Sequence, residues 1–203
     1  MLRRVLLSMS RSQRLRRLVE TAPVSRSVVA RYVPGTSAEE AVEATRALAG
    51  KGLLASLDHL GEDTLDVQQA TATKEAYLRL LEVLGREGLT DRAEVSVKLS
   101  AVGQALSGDG EKVALENART ICEAAHAAGT TVTLDMEDHT TTDSTLSIVS
   151  QLRVDFPWVG AVLQAYLKRT EGDCRELSGD RPCWAISDWA AAIMAGSWLA
   201  TIG

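Results

Sequence analysis

Apolar positions along this chain change their period at regular intervals, and each change marks a boundary between elements. Ser37 and Glu40 have capping-box spacing, and Val42, Thr45, Leu48 and Ala49 then form a stripe that stops at Gly50, which predicts a helix. Gly52 to Asp58 is a short apolar run of strand length. Tyr77, Leu80, Leu81 and Leu84 share one helical face, with stops at Gly85 and Gly88, and Glu94 to Leu99 alternates as a strand does. Leu115, Ala118, Cys122 and Ala125 step by three, four and three before Gly129. Thr130 to Met136 is β-branched and extended, and Leu146, Val149 and Leu152 mark another helix. Val159 to Tyr166 reads as a fourth strand, and Thr170 with Asp173 as the cap of a helix running through Leu177.

Strand starts near 52, 94, 131 and 159 therefore give four β-then-α units, the rhythm of a parallel sheet with crossover helices. Two α/β architectures share that rhythm. A doubly wound sheet would carry a glycine-rich phosphate loop after its first strand, and Asp58-His59-Leu60-Gly61-Glu62 is not one. A (βα)8 barrel instead gathers its polar groups at the carboxyl ends of the strands. They do gather there, as Asp58 and His59, Lys98, Asp135 to Asp138, and Gln164 with Tyr166. The expected fold is thus of the TIM-barrel type, with four strands visible and two sheet edges left open. A complete barrel of this kind takes about 250 residues, and this chain has 203.

Composition changes the picture in two places. The whole is ordinary for a globular protein, 45% hydrophobic and 24% charged with a formal net charge of −5. Residues 1–31, however, hold eight arginines against Glu20, a balance of +7, which leaves −12 for the remainder. Such a basic arm suits an anionic lipid surface or an acidic partner. No secretory signal is expected, because Val5-Leu6-Leu7 runs straight into serines and more arginine. The second anomaly is the end of the chain, where three of the four tryptophans (Trp184, Trp189 and Trp198) fall within the last twenty residues. Cys122, Cys174 and Cys183 form no C-x-x-C pair, so neither disulfides nor a zinc site are expected. No stretch reaches the length of a membrane span.

Three positions carry candidate chemistry. Lys98 lies in the apolar strand Val95-Ser-Val-Lys-Leu-Ser100, where a buried ammonium requires an anion. It could pair with a substrate carboxylate or, with a lowered pKa, act as a Schiff-base amine. Leu134-Asp-Met-Glu-Asp-His139 packs carboxylates at the end of strand three, with Asp135 and Glu137 expected on one side and Met136 and Asp138 on the other. With Lys98 as neighbour, an ion-paired organic site suits this cluster better than a metal, and Asp138 is a candidate helix cap. Met136 is either core filler or a platform for a flat ring. Gln164 offers both a donor and an acceptor, which suits the polar edge of an isoalloxazine or a similar ring.

Taken in order, Arg31-Tyr-Val-Pro-Gly35, Ser56-Leu-Asp-His-Leu-Gly-Glu62, Val95 to Ser100, Leu134 to Asp138 and Val162-Leu-Gln-Ala-Tyr-Leu-Lys-Arg-Thr170 resemble the proline dehydrogenase family, and most closely its short monofunctional bacterial members. The resemblance implies a flavoenzyme that oxidises L-proline to Δ1-pyrroline-5-carboxylate, reduces FAD and passes electrons to a membrane quinone. Position by position it implies that Lys98 binds the proline carboxylate and that Asp135 is the active-site aspartate. It implies that Met136 packs on the flavin and that Gln164 bonds the flavin ring. A cytoplasmic protein with peripheral contact at the inner face of the membrane, through its basic arm, would follow; no nucleic-acid partner is expected. The likeness runs to about residue 177. The organisation expected is a helical basic arm over 1–50, the first half of a barrel over 51–177, and a divergent Trp-rich tail over 178–203, that is, a barrel truncated after its fourth strand. The other outcomes consistent with the residues are a Schiff-base lyase or aldolase built on Lys98, and a non-catalytic fragment.

Overall fold

The computed structural model describes residues 35–178 and 198–202. Residues 1–34 of the basic arm, and residues 179–197 and 203 of the tail, lie outside the described residues. Four parallel strands run in sequence order, β1 (Ala55–His59), β2 (Ala93–Lys98), β3 (Val132–Asp135) and β4 (Gly160–Ala161). Helices α2 (Val67–Arg86), α3 (Gly110–Ala128) and α4 (Thr142–Arg153) make the crossovers; α1 (Ala38–Ala49) precedes β1 and α5 (Thr170–Ser178) follows β4. This is the four-unit α/β arrangement that the hydrophobic periods predict.

The strands sort their side chains by alternation. Leu57, Val95, Val97 and Leu134 are fully buried, on the face covered by the helices. Into that face pack Tyr77, Leu80, Leu81 and Leu84 from α2, and Ala118, Ile121, Cys122 and Ala125 from α3. Each leucine, isoleucine or valine side chain so enclosed contributes about 1.5–3 kcal/mol. The opposite face carries Ser56, Asp58, Glu94, Ser96, Lys98, Thr133 and Asp135. It is the face a closed barrel would turn inward, and it is polar throughout.

Local signals account for the helix ends. Ser37 and Glu40 form the full capping box on α1, and surface pairs from Arg79 to Glu39 (2.7 Å) and from Arg46 to Glu87 tie α1 to α2. Asp66 caps α2 by accepting from the Gln68 N–H at 2.8 Å, and Gly129 ends α3 at φ +82°, a left-handed conformation that glycine adopts without a Cβ penalty.

Several expectations are corrected. The fourth strand is two residues long, because after Ala161 only the Val162 N–H continues the ladder, donating to the Leu134 carbonyl at 2.9 Å. Asp138 does not cap α4. Its carboxylate accepts from the Thr140 N–H (2.8 Å) and closes a turn just ahead of that helix. Thr170 turns its hydroxyl back to the Gln164 carbonyl, while Asp173 pairs with Arg169 at 2.8 Å, so the two make no box. The edge of β1 is not open. β5 (Trp198–Ile202) pairs along it antiparallel, with Leu57 opposite Ala200 and Asp58 opposite Leu199. Cys174 is disulfide-bonded, whereas Cys122 is a free, buried thiol. Cysteine spacing alone hides such a bond, since pairing depends on which segments the fold brings together.

Candidate active site

The strand register dictates the site. Lys98 pairs in register with Asp135 across β2 and β3, and Asp58 lies opposite Ser96, two residues before Lys98. All three acidic and basic side chains therefore leave the sheet on the same face at the carboxyl ends of the strands. The Lys98 ammonium sits between the carboxylates, in a close ion pair with Asp58 and 3.4 Å from the Asp135 Oδ2. None of the three side chains is more than about a tenth exposed.

A buried helix residue fixes the pair from behind. The Tyr77 hydroxyl, fully buried on the inner face of α2, lies 3.1 Å from Asp58 Oδ1 and 2.7 Å from the Ser96 carbonyl, and accepts from the His59 N–H at 3.1 Å. Burial works to lower the Lys98 pKa, but Asp58 and Asp135 outweigh it and hold the ammonium above the ordinary lysine value. Desolvation dominates at Asp58 and raises its carboxyl, with Lys98 opposing and the neighbouring Asp135 adding to the rise. A Schiff-base amine must be unprotonated to attack a carbonyl, and this environment favours the charged form.

Next to the triad, Ser100 binds Glu137 twice, hydroxyl to Oε1 at 2.6 Å and backbone N–H to Oε2 at 3.0 Å. The Ser100 hydroxyl also accepts from the Asp63 N–H at 3.0 Å, which pins the loop between β1 and α2. Burial raises the Glu137 carboxyl, with the Ser100 hydrogen bonds opposing. The Met136 N–H donates to Asp135 Oδ1 at 3.0 Å, and the Met136 side chain is buried.

These groups open into a cavity of about 540 Å³, whose lining includes Lys98, Asp135, Met136, Glu137, Gln164 and Tyr166. The structure thus brings all four predicted site residues, Lys98, Asp135, Met136 and Gln164, to one cavity. The Gln164 amide donates through Nε2 to the Glu137 and Met136 carbonyls (2.9 and 3.4 Å), while its Oε1 is buried with no hydrogen-bond partner among the described residues. An orphaned acceptor of this kind costs free energy unless a ligand supplies a donor. The edge of a flavin ring carries such an N–H, so the residues present fit that cofactor. Among the described residues, no cluster of His, Cys, Asp and Glu is arranged to hold a metal ion. A second cavity of about 420 Å³ lies at the amino ends of the strands, where Glu94 already accepts from the Thr131 hydroxyl at 3.3 Å.

The ordered motifs and this geometry agree with the sequence profile of proline dehydrogenase, which matches residues 41–179. The chain belongs to the proline dehydrogenase family. Its relatives include the proline dehydrogenase of Deinococcus radiodurans, 40% identical over 154 residues, covering 75% of this chain and 49% of the relative. Proline dehydrogenase 1 of Bacillus subtilis is 34% identical over 182 residues, covering 90% of this chain and 58% of the relative. The chain therefore spans about half the length of these proline dehydrogenases. Its fold is similar to part of proline utilization A from Bdellovibrio bacteriovorus inactivated by N-propargylglycine, with a TM-score of 0.67 at 22% identity over 76% of this chain and 19% of that one. Proline utilization A from Corynebacterium freiburgense aligns with a TM-score of 0.62, again at 22% identity.

In the sequence Asp58 stands on the polar rim with no site role, and Tyr77 belongs to an apolar helix face. The signal for Asp58 was available. A lysine in a buried strand needs an anion, and the neighbouring strand offers one at nearly the same height. Tyr77 gave none, because a tyrosine on an apolar helix face looks the same whether or not its hydroxyl reaches a polar group.

Proposed function

We propose that this chain takes part in the FAD-dependent oxidation of L-proline to Δ1-pyrroline-5-carboxylate, the step that opens proline catabolism. The observation that carries the proposal is a single cavity holding a carboxylate-flanked ammonium, Lys98, together with the unpaired amide oxygen of Gln164. An ammonium has three N–H donors, and two of those on Lys98 are engaged, leaving one for the carboxylate of an amino acid. Asp135 holds Lys98 in place from β3, and its other oxygen is fixed by the Met136 N–H. Gln164 and Met136 are the residues that would hold the flavin ring, the first by its free acceptor and the second by its polarisable side chain. When bound, the flavin supplies the two-electron oxidising capacity that no side chain here has. The protein's contribution is to orient the substrate and to stabilise charge.

The electrons would leave for a membrane quinone, and the basic segment over residues 1–31 would make peripheral contact with the inner, cytoplasmic face of that membrane. No helix among the described residues is long and apolar enough to cross a bilayer.

The test is direct. The purified full chain should be yellow with flavin absorbance, and anaerobic L-proline should bleach it. A colourless chain that takes up no added FAD, or a yellow one indifferent to proline, would overturn the proposal.

A further inference from the structure

The ion cluster carries a charge problem that substrate binding makes worse. Two carboxylates already face one ammonium, so the cluster is anionic by one unit. A ligand carboxylate on the third Lys98 donor would place three carboxylates around one cation whose two protein partners are already buried. Like charges at that spacing do not all remain ionised, and one must take a proton.

The members of the cluster differ in their ability to hold that proton. A protonated carboxyl needs an acceptor for its new O–H. At Asp135 Oδ1 the neighbour is the Met136 backbone N–H, which only donates. At Asp58 Oδ1 the neighbour is the Tyr77 hydroxyl, which both donates and accepts. Tyr77 also has somewhere else to send its single proton, the Ser96 carbonyl at 2.7 Å. With Asp58 ionised, the hydroxyl donates to Oδ1. With Asp58 neutral, it turns to Ser96 and receives the proton from Asp58. The His59 N–H donates to the hydroxyl oxygen in both arrangements.

We propose that a carboxylate ligand reaching Lys98 is met by uptake of one proton at Asp58, with Tyr77 as the positioning residue that satisfies Asp58 in both protonation states. The nature of the ligand rests on the function proposed above. Among the described residues, the charged or titratable groups around Asp58 are Lys98 on β2, Asp135 on β3, Tyr77 on α2 and His59 beside it on β1; Glu137 also interacts with Lys98 from the same cavity but is bound to Ser100, and β5 brings Leu199 opposite Asp58. Desolvation already raises the Asp58 carboxyl in the ligand-free chain, partly offset by Lys98, and burial keeps the Tyr77 phenol neutral by lifting it well above its ordinary value.

The experiment is calorimetric titration of the full chain with cyclopentanecarboxylate, which keeps the ring and carboxylate of proline and has no amine to confuse the proton count. It is run in two buffers of different ionisation enthalpy from mildly acidic to neutral pH. Proton uptake should approach one per ligand bound, and affinity should fall up to about tenfold per pH unit through the linked range. Asp58→Asn should abolish the uptake and, by removing a negative charge from the cluster, tighten binding at neutral pH; a residue needed only for structure would weaken it. Should Asp58→Asn fail to fold, Tyr77→Phe, which removes one hydroxyl, should displace the linked range. Binding without proton uptake, uptake that persists in Asp58→Asn, or an unmoved linked range in Tyr77→Phe would each overturn this inference alone. Absence of any carboxylate binding would overturn it together with the proposed function.

Discussion

Replacing Lys98 by methionine keeps a long, unbranched side chain and removes the ammonium that pairs with Asp58 and Asp135. The loss can be worked from the geometry. At 3.4 Å and an effective dielectric of about 20, the attraction to Asp135 alone is gross about 5 kcal/mol. In the native chain desolvation cancels much of this, but the variant keeps both carboxylates buried and recovers nothing. It can limit the damage only by protonating one of them. At pH 7 that costs about 4 kcal/mol for a group of ordinary carboxylate pKa, so Lys98→Met should lose about 3–5 kcal/mol. The loss has a definite pH dependence. Without Lys98 the folded carboxyls bind protons more tightly than in the unfolded chain, so the stability of the variant falls as pH rises through that range. Urea unfolding followed by circular dichroism should show the gap from the native chain shrinking by about 3 kcal/mol between pH 7 and pH 4. A gap below about 1 kcal/mol at both pH values would mean that the cluster is solvated and that this reasoning fails.

Three further outcomes are expected. Gly110→Ala should destabilise by about 1–3 kcal/mol in the same unfolding assay, because an added Cβ would stand 2.8 Å from the Gln104 carbonyl and 2.9 Å from that of Gly103, backbone atoms that cannot swing aside; a change near zero would refute the close approach. Burial pushes the Cys122 thiol up to about 12, so iodoacetamide at neutral pH should leave it unlabelled in the folded chain and label it in urea; rapid labelling of Cys122 without denaturant would contradict its burial. Gln164→Leu removes the orphaned acceptor and should weaken flavin retention about tenfold, read as absorbance surviving gel filtration, with unchanged retention counting against Gln164 as a ring contact.

How much was legible in the sequence depended on the range of the interaction. Capping at Ser37 and Glu40, the stop at Gly129 and the stripe Tyr77, Leu80, Leu81 and Leu84 are local, and each appears in the structure where its spacing puts it. The parallel order followed from the alternation of periods, and with it the gathering of Lys98, Asp135 and Gln164 at one end of the sheet. The short β4 was not legible, because Val162 to Tyr166 is as apolar as a strand while its backbone leaves the ladder. Nor was the turn at Asp138, where an aspartate ahead of a helix looks identical whether it bonds the helix or the residues before it. The double contact from Ser100 to Glu137 joins positions 37 apart and depends on two strand ends meeting, which a one-dimensional pattern does not encode.

The antiparallel partner of β1 constrains how this sheet can grow. Closing a ring of parallel strands requires both terminal edges, at β4 and at β1, to accept neighbours running in their own direction. The edge of β1 is held from Ala55 to His59 by a strand of opposite sense. A polypeptide that completes the ring would first have to displace that strand, in competition for the same backbone donors and acceptors. The five residues from Trp198 to Ile202 thus act as a competitor for barrel closure at β1, and among the described residues β4 forms the other edge of the sheet.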